Sequence, residues 1–231
     1  MTADKILSVA KSYIGVSEKP ANSNNVIFNT HYYGKTVSGS YPWCCTFVWD
    51  VFRLAGASSL FFDGKKTAYC PAVQTWAKNN KITVDKLQGK PGDLVLFDWN
   101  KNNSADHIGI ILENKGGGTY TTIEGNTSMS SNDNGGKVMR RTRKKSEILM
   151  IIRPKYEKQE KVTKMFSYKN KTGKSLPVYA DSDLKTKIGT LNAGASCSSF
   201  GIVNDRAVLL YKVVSTGVYK IGFTDRKEGL E

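Results

Sequence analysis

The stretch YPWCCTFVWDVF, Tyr41 to Phe52, decides how the first half of this chain is read. Its apolar residues predict a buried helix opening at Ser40-Tyr41-Pro42 and running to about Leu54. Proline suits a first turn, and Gly56 just beyond suits the end. Two adjacent cysteines, Cys44 and Cys45, stand in that predicted first turn. A helix N-terminus places partial positive charge beside a thiol and favours the thiolate, the nucleophilic form. Consecutive helical residues lie about 100° apart, so the two thiols cannot share one environment. One faces a cleft and the other packs; position alone does not say which.

A thiol nucleophile needs a base and a group that fixes the base's tautomer. The chain has two histidines. His31 lies in NTHYYG, a polar and aromatic stretch that reads as loop. His107 opens an apolar strand, HIGIIL, whose end can hold an imidazole rigidly toward the helix terminus. Glu124 closes the next strand, TTIEGN, and Asn126 follows one glycine later. Neighbouring strands can thus set a carboxylate or an amide beside His107, as an acceptor for its N–H.

Around this stretch the first 153 residues read as an α+β domain. Ile6, Val9, Ala10, Tyr13 and Ile14 form an N-terminal helical stripe, with Thr2 as its N-cap. SEKPANSNN is a loop. Strands then follow as DLVLFDW, HIGIIL, TYTTIEG, KVMRRTR and ILMIIRP, an antiparallel-looking series. Residues 154–165, PKYEKQEKVTKM, read as a charged linker. Beyond it, SLPVYA, KIGTL, SSFGI, AVLLYKV and GVYKIGF predict a small all-β barrel over 166–231.

Composition narrows the function classes. The 231 residues are 39% hydrophobic and 23% charged, which is globular rather than disordered. No apolar run is long enough to span a membrane, so no membrane insertion is expected. Asp4, Lys5 and Lys11 interrupt the apolar N-terminus, so no cleavable leader is expected and synthesis in the cytosol is. The four cysteines make no disulfide framework. A vicinal Cys44–Cys45 bridge would be strained, and Cys70 and Cys197 read as buried or incidental thiols. Without CxxC or HExxH spacing, no metal and no cofactor is expected. The net charge of +14 draws polyanions in general. The run MRRTRKK (Met139–Lys145) is the best nucleic-acid candidate. Strand alternation splits it between two faces, so it reads as solvated charge and no nucleic acid is expected.

WC at a helix start, FVWDVF after it, PGDLVLFDW, DHIGIIL and TIEGNT together resemble the cysteine, histidine-dependent amidohydrolase/peptidase (CHAP) family, over roughly residues 3–153. The resemblance implies a papain-like α+β fold and hydrolysis of amide bonds in peptidoglycan. It assigns the nucleophile to Cys44, which leaves Cys45 to packing, the base to His107, the acidic partner to Glu124 and a supporting amide to Asn126. Trp43 and Trp99 are candidates for the cleft wall, with core packing as the other role open to each. The aspartate-rich calcium loop of some members has no counterpart in HYYGKTVSGSYPWC, and no glutamine upstream of Cys44 supplies an oxyanion donor.

SLPVYADSDLKTKIGTLNAGA and YKIGF resemble a bacterial SH3-like cell-wall-binding domain, although the tryptophan common near that family's end is absent. The expected whole is a modular peptidoglycan hydrolase of phage-endolysin type, an N-acetylmuramoyl-L-alanine amidase or an endopeptidase. It would accumulate in a host cytoplasm and reach the anionic wall of a Gram-positive cell through a holin-made hole. The competing expectations are a non-catalytic basic protein that binds cell wall or nucleic acid, and an intracellular cysteine protease. Oligomeric state is not legible, and Met165 at the junction is a conceivable internal start.

Overall fold

Residues 2–132, 134–157, 165–212, 218–225 and 229–230 are described in a computed structural model. The chain divides into two units, Met1–Lys158 and Gln159–Glu231.

In the first unit, helix α1 (Ala3–Ser12) buries Ile6, Leu7 and Ala10. It stops before the end of the stripe read from the sequence, because Gly15 turns the chain at φ +96°. Ile14 is therefore exposed. Thr2 occupies the N-cap with extended backbone, but its side chain makes no capping hydrogen bond.

Helix α2 (Ile27–Tyr33) corrects the loop reading of NTHYYG. Its polar surface hides how it is anchored. Phe28 is wholly buried, and the buried Asn29 amide donates to the carbonyls of Asn24 and Tyr41, each at 2.9 Å. Asn29 also accepts from the Thr46 hydroxyl at 2.8 Å. Gly34 then ends the helix in the left-handed region that suits glycine.

Helix α3 (Cys44–Leu54) begins two residues after Pro42, later than the sequence suggests, with Trp43 at its N-cap. It is buried from Cys44 through Phe52, as a helix packed on all sides must be. Helix α4 (Cys70–Asn79) was not foreseen. Cys70, Val73, Gln74, Trp76 and Ala77 make its buried face, with Pro71 in the first turn.

The strands are β1 (Thr83–Val84), β2 (Leu94–Phe97), β3 (His107–Gly116), β4 (Thr119–Thr127), β5 (Lys137–Lys144) and β6 (Ile148–Ile152). They pair antiparallel in the order β1-β6-β2-β3-β4-β5. Alternation along each strand gives the sheet two apolar faces. Leu94, Leu96, Ile108, Ile110 and Ile123 join the helices in one core. Val95, Phe97, Ile111, Tyr120, Ile148 and Ile151 form a second core on the other face. Helix α3 packs on β3 and β4.

The first residues of the expected linker, 154–157, pack on this unit. Pro154 is buried, and the Tyr156 hydroxyl donates to the Gly92 carbonyl at 2.7 Å. Burial, with the charge of Asp93 adding to it, raises the Tyr156 pKa strongly. Residues 158–164 of the expected linker lie outside the described residues.

The second unit is all-β. Its strands are β7 (Phe166–Lys169), β8 (Leu176–Tyr179), β9 (Lys187–Leu191), β10 (Ser196–Val203), β11 (Arg206–Lys212) and β12 (Tyr219–Thr224). They pair in the order β7-β10-β11-β12-β8-β9. Among the described residues the outer strands β7 and β9 do not pair, so an antiparallel sheet stands where a closed barrel was expected. Tyr168, Leu176, Val178, Leu191, Ala207, Leu209 and Tyr211 form its core.

Candidate active site

Two helix N-termini meet at one place in the first unit. Cys44 is the first residue of α3 and Cys70 the first of α4, and their sulfurs lie 3.6 Å apart. Cys45, wholly buried, has its sulfur 3.4 Å from Cys70. Cys44 and Cys70 both reach a groove that Pro42, Tyr69, Pro71 and Asp106 also line.

The Cys44 thiol is held well below its usual pKa. The thiols of Cys45 and Cys70 hydrogen-bond to it and stabilise its anion, and the nearby His107 adds charge; together they outweigh burial. Cys45 and Cys70 are pushed up, chiefly because their bonds to Cys44 favour keeping their own protons. The sequence read Cys70 as a buried or incidental thiol; it is buried, but it is also part of the site. What hid it was the unread helix α4, which brings a residue 26 positions away back to Cys44.

His107 opens β3 and is wholly buried. Its Nε2 lies 3.2 Å from Glu124 Oε2, while Nδ1 meets no hydrogen-bonding N or O atom among the described residues. Burial is the largest influence on this imidazole and opposes its charge. Cys44 and Glu124 prevail over it and raise the pKa to about 9. The thiol and the imidazole therefore shift each other toward a thiolate–imidazolium pair. Nδ1 is the nitrogen left to exchange a proton with Cys44.

Sheet register explains how Glu124 reaches the ring. Glu124 pairs with Gly109, two residues beyond His107 on the same face of β3. A Cβ at position 109 would lie 2.7 Å from Glu124 Cγ, so glycine leaves the room in which the carboxylate crosses to His107. Gly125 does a matching job on the other face, where a Cβ would meet Phe47 and Trp43 of the α3 region at 2.7 and 2.9 Å. These two glycines, in HIG and EGN, are spacers that bring the strands and α3 to working distance.

Glu124 is itself fully buried and held by Arg143 through two hydrogen bonds, Nε to Oε1 at 2.8 Å and Nη2 to Oε2 at 2.5 Å. The Thr122 hydroxyl also donates to Oε1. Burial pushes this carboxyl up, but Arg143 and His107 overcome that and bring it down to about 2. Arg143 lies in the MRRTRKK run read as solvated charge. Its side chain is instead 2% exposed, with the guanidinium 5.1 Å from the centre of the Phe97 ring and 4.9 Å from that of Trp99. The available signal was Glu124 itself, since an ionised carboxylate inside an apolar strand requires a cation.

Asn126 follows on β4 with left-handed backbone, φ +57°, and is buried. Its backbone carbonyl accepts from Gly135 N–H at 3.0 Å and its side-chain oxygen from Gly136 N–H at 3.4 Å. Trp99 is half-buried beside the histidine, stacked on Phe97 at 4.9 Å with its ring centre 6.1 Å from that of His107. Trp43 is different. It has no exposure, stacks on Phe28, and donates Nε1–H to Glu18 Oε1 at 2.7 Å. It belongs to the core, which corrects its cleft-wall reading. His31 is engaged elsewhere: its Nδ1 is 3.0 Å from Asp50 Oδ2, beside Tyr13 and Arg53. Asp50 lies about 9 Å along α3 from Cys44.

A family model described as the CHAP domain matches residues 36–126. That span contains Cys44, Cys70, His107, Glu124 and Asn126. Eight chains of solved structures match this protein. Two of them are "The crystal structure of Ly7917" and "The crystal structure of Ly7917 with the hydrolyzing product of MDP". Each is 14% identical, with 100% of this chain and 97% of that chain covered, at TM-scores of 0.41 and 0.39. The search among curated proteins gave no match.

Proposed function

We propose that the first unit is a cysteine hydrolase acting on amide bonds of peptidoglycan. The observation that carries the reading is the Cys44–His107–Glu124 array inside the CHAP-matched span, with the thiol drawn down and the imidazole drawn up by each other. Cys44 attacks the scissile carbonyl carbon as the thiolate. The developing oxyanion meets the backbone N–H groups of the first turn of α3, which have no carbonyl acceptors within the helix. The His107 imidazolium then protonates the departing amine, leaving a thioester on Cys44. Neutral His107 next takes a proton from water, which attacks the thioester and frees the thiol. Glu124 keeps Nε2 protonated and Nδ1 turned to the reaction, and Arg143 keeps Glu124 ionised.

In this reading the second unit is an SH3-like wall-binding module. Residues 151–231 carry half of the net +14 on about a third of the chain, a field suited to anionic wall polymers. Binding there raises the effective concentration of the catalytic unit at its substrate. The whole would be an endolysin that attacks a Gram-positive wall as amidase or endopeptidase. The test is mass spectrometry of fragments released from purified Gram-positive walls, with Cys44→Ala as blank. A lactyl-bearing glycan together with free N-terminal alanine identifies an amidase. A new amine within the stem or bridge identifies an endopeptidase. Absence of fragments above the blank across several wall types refutes hydrolysis and leaves a wall-binding protein.

A further inference from the structure

We propose that Cys44 and Cys70 form a reversible oxidation site: a hydroperoxide oxidises Cys44, and Cys70 closes a disulfide onto it. The inference rests on Cys44 being the reactive thiolate of the proposed hydrolase. Three observations carry it. The two sulfurs are 3.6 Å apart, so a movement of about 1.5 Å brings them to disulfide length. Each cysteine begins its own helix, so closure requires a small adjustment of two helix ends and leaves both helix bodies in place. Both line the same groove, which admits a small peroxide. Cys45 lacks that access, being wholly buried, and a ring between the adjacent Cys44 and Cys45 is strained.

The chemistry balances with a hydroperoxide as the sole oxidant. The Cys44 thiolate attacks one peroxide oxygen and the O–O bond breaks. Hydroxide leaves, taking a proton from the medium, and the sulfur, oxidised by two electrons, becomes a sulfenic acid. The Cys70 sulfur then attacks Cys44 Sγ and the S–O bond breaks. The hydroxide released takes the Cys70 proton and departs as water. A dithiol reverses the link by exchange. While it stands, the nucleophile is blocked, and it is also shielded from irreversible oxidation to the sulfinic acid. The low pKa of Cys44 supports the order of events, since the thiolate is the group that peroxide attacks.

The experiment treats the full-length protein with a small excess of hydrogen peroxide, then maps non-reduced peptides and measures wall lysis before and after dithiothreitol. The expected result is a loss of about 2 Da, a Cys44–Cys70 cross-linked peptide, lysis reduced at least tenfold, and recovery with the dithiol. Cys70→Ala and Cys70→Ser, each compared with its own untreated sample and checked for folding by circular dichroism, should gain about 32 Da at Cys44 and not recover. Cys45→Ala should still form the link. A Cys45–Cys70 link that leaves lysis intact overturns the proposal. So does a sulfinic acid at Cys44 in the unaltered protein, or full recovery of both Cys70 variants. The mapping reads the link without any lysis. A protein that links but releases no wall fragments refutes hydrolysis alone, and one that releases fragments but does not link refutes the oxidation site alone.

Discussion

Replacing Arg143 with Met removes the charge that keeps Glu124 ionised, together with the guanidinium's hydrogen bond to Asn132 and its ion pair with Glu147. Methionine retains much of the buried apolar stem against Phe97 and Trp99 while removing both hydrogen bonds to the carboxylate. In the folded protein Glu124 falls from 4.5 to about 2. At about 1.4 kcal/mol per unit, this is about 3 kcal/mol of stability at neutral pH, held jointly by Arg143 and His107. A depressed carboxyl stabilises the fold fully above its unfolded pKa, near 4.5, and loses that stabilisation as pH falls through about 2. Arg143→Met should therefore cost up to about 3 kcal/mol at pH 7, and less than half of that by pH 3. Urea unfolding of both proteins at the two pH values measures the difference. A loss of equal size at both would show that Arg143 matters for packing and refute the electrostatic role. Hydrolysis should fall as well, because a Glu124 that takes up a proton no longer holds the imidazolium.

Four further outcomes follow from the same geometry. Gly109→Ala puts a Cβ against Glu124 Cγ and displaces the carboxylate from His107, so hydrolysis should drop at least tenfold for a stability loss of about 1–3 kcal/mol; activity at the unaltered level would show that Glu124 does not orient the base. With His107 raised to about 9, wall hydrolysis should decline as pH rises through about 9, where the imidazolium that protonates the leaving amine is lost. The raised pKa also contributes stability that is complete below about 6.5 and disappears through the same upper range, so urea midpoints should fall there too. Trp43→Phe keeps the stack on Phe28 but strands Glu18 Oε1 without its donor, which should cost about 1–3 kcal/mol in thermal or urea unfolding; a neutral result would mean that water replaces the indole N–H.

The sequence by itself determined the parts of this protein that local physics dictates. Alternation placed the strands, and an apolar run placed the helix that carries Cys44, though not its first residue. With two histidines in the chain, one of them opening a strand, His107 beside an acceptor from the next strand, Glu124 or Asn126, was legible before any coordinates, and the family resemblance assigned the acidic role to Glu124. The remainder depended on distance in space. Cys70 became part of the site because two helix starts converge, which no spacing along the chain records. Arg143 looked like one of several surface cations until register turned it inward to a buried carboxylate that could not stay charged alone. Trp43 stands beside the nucleophile in sequence yet points into the core, because consecutive residues at a helix start face different ways. His31 was consumed by Asp50 on a helix that its polar composition concealed. Chain order supplied the reactive groups; antiparallel register, two spacer glycines and burial of charge decided which of them meet.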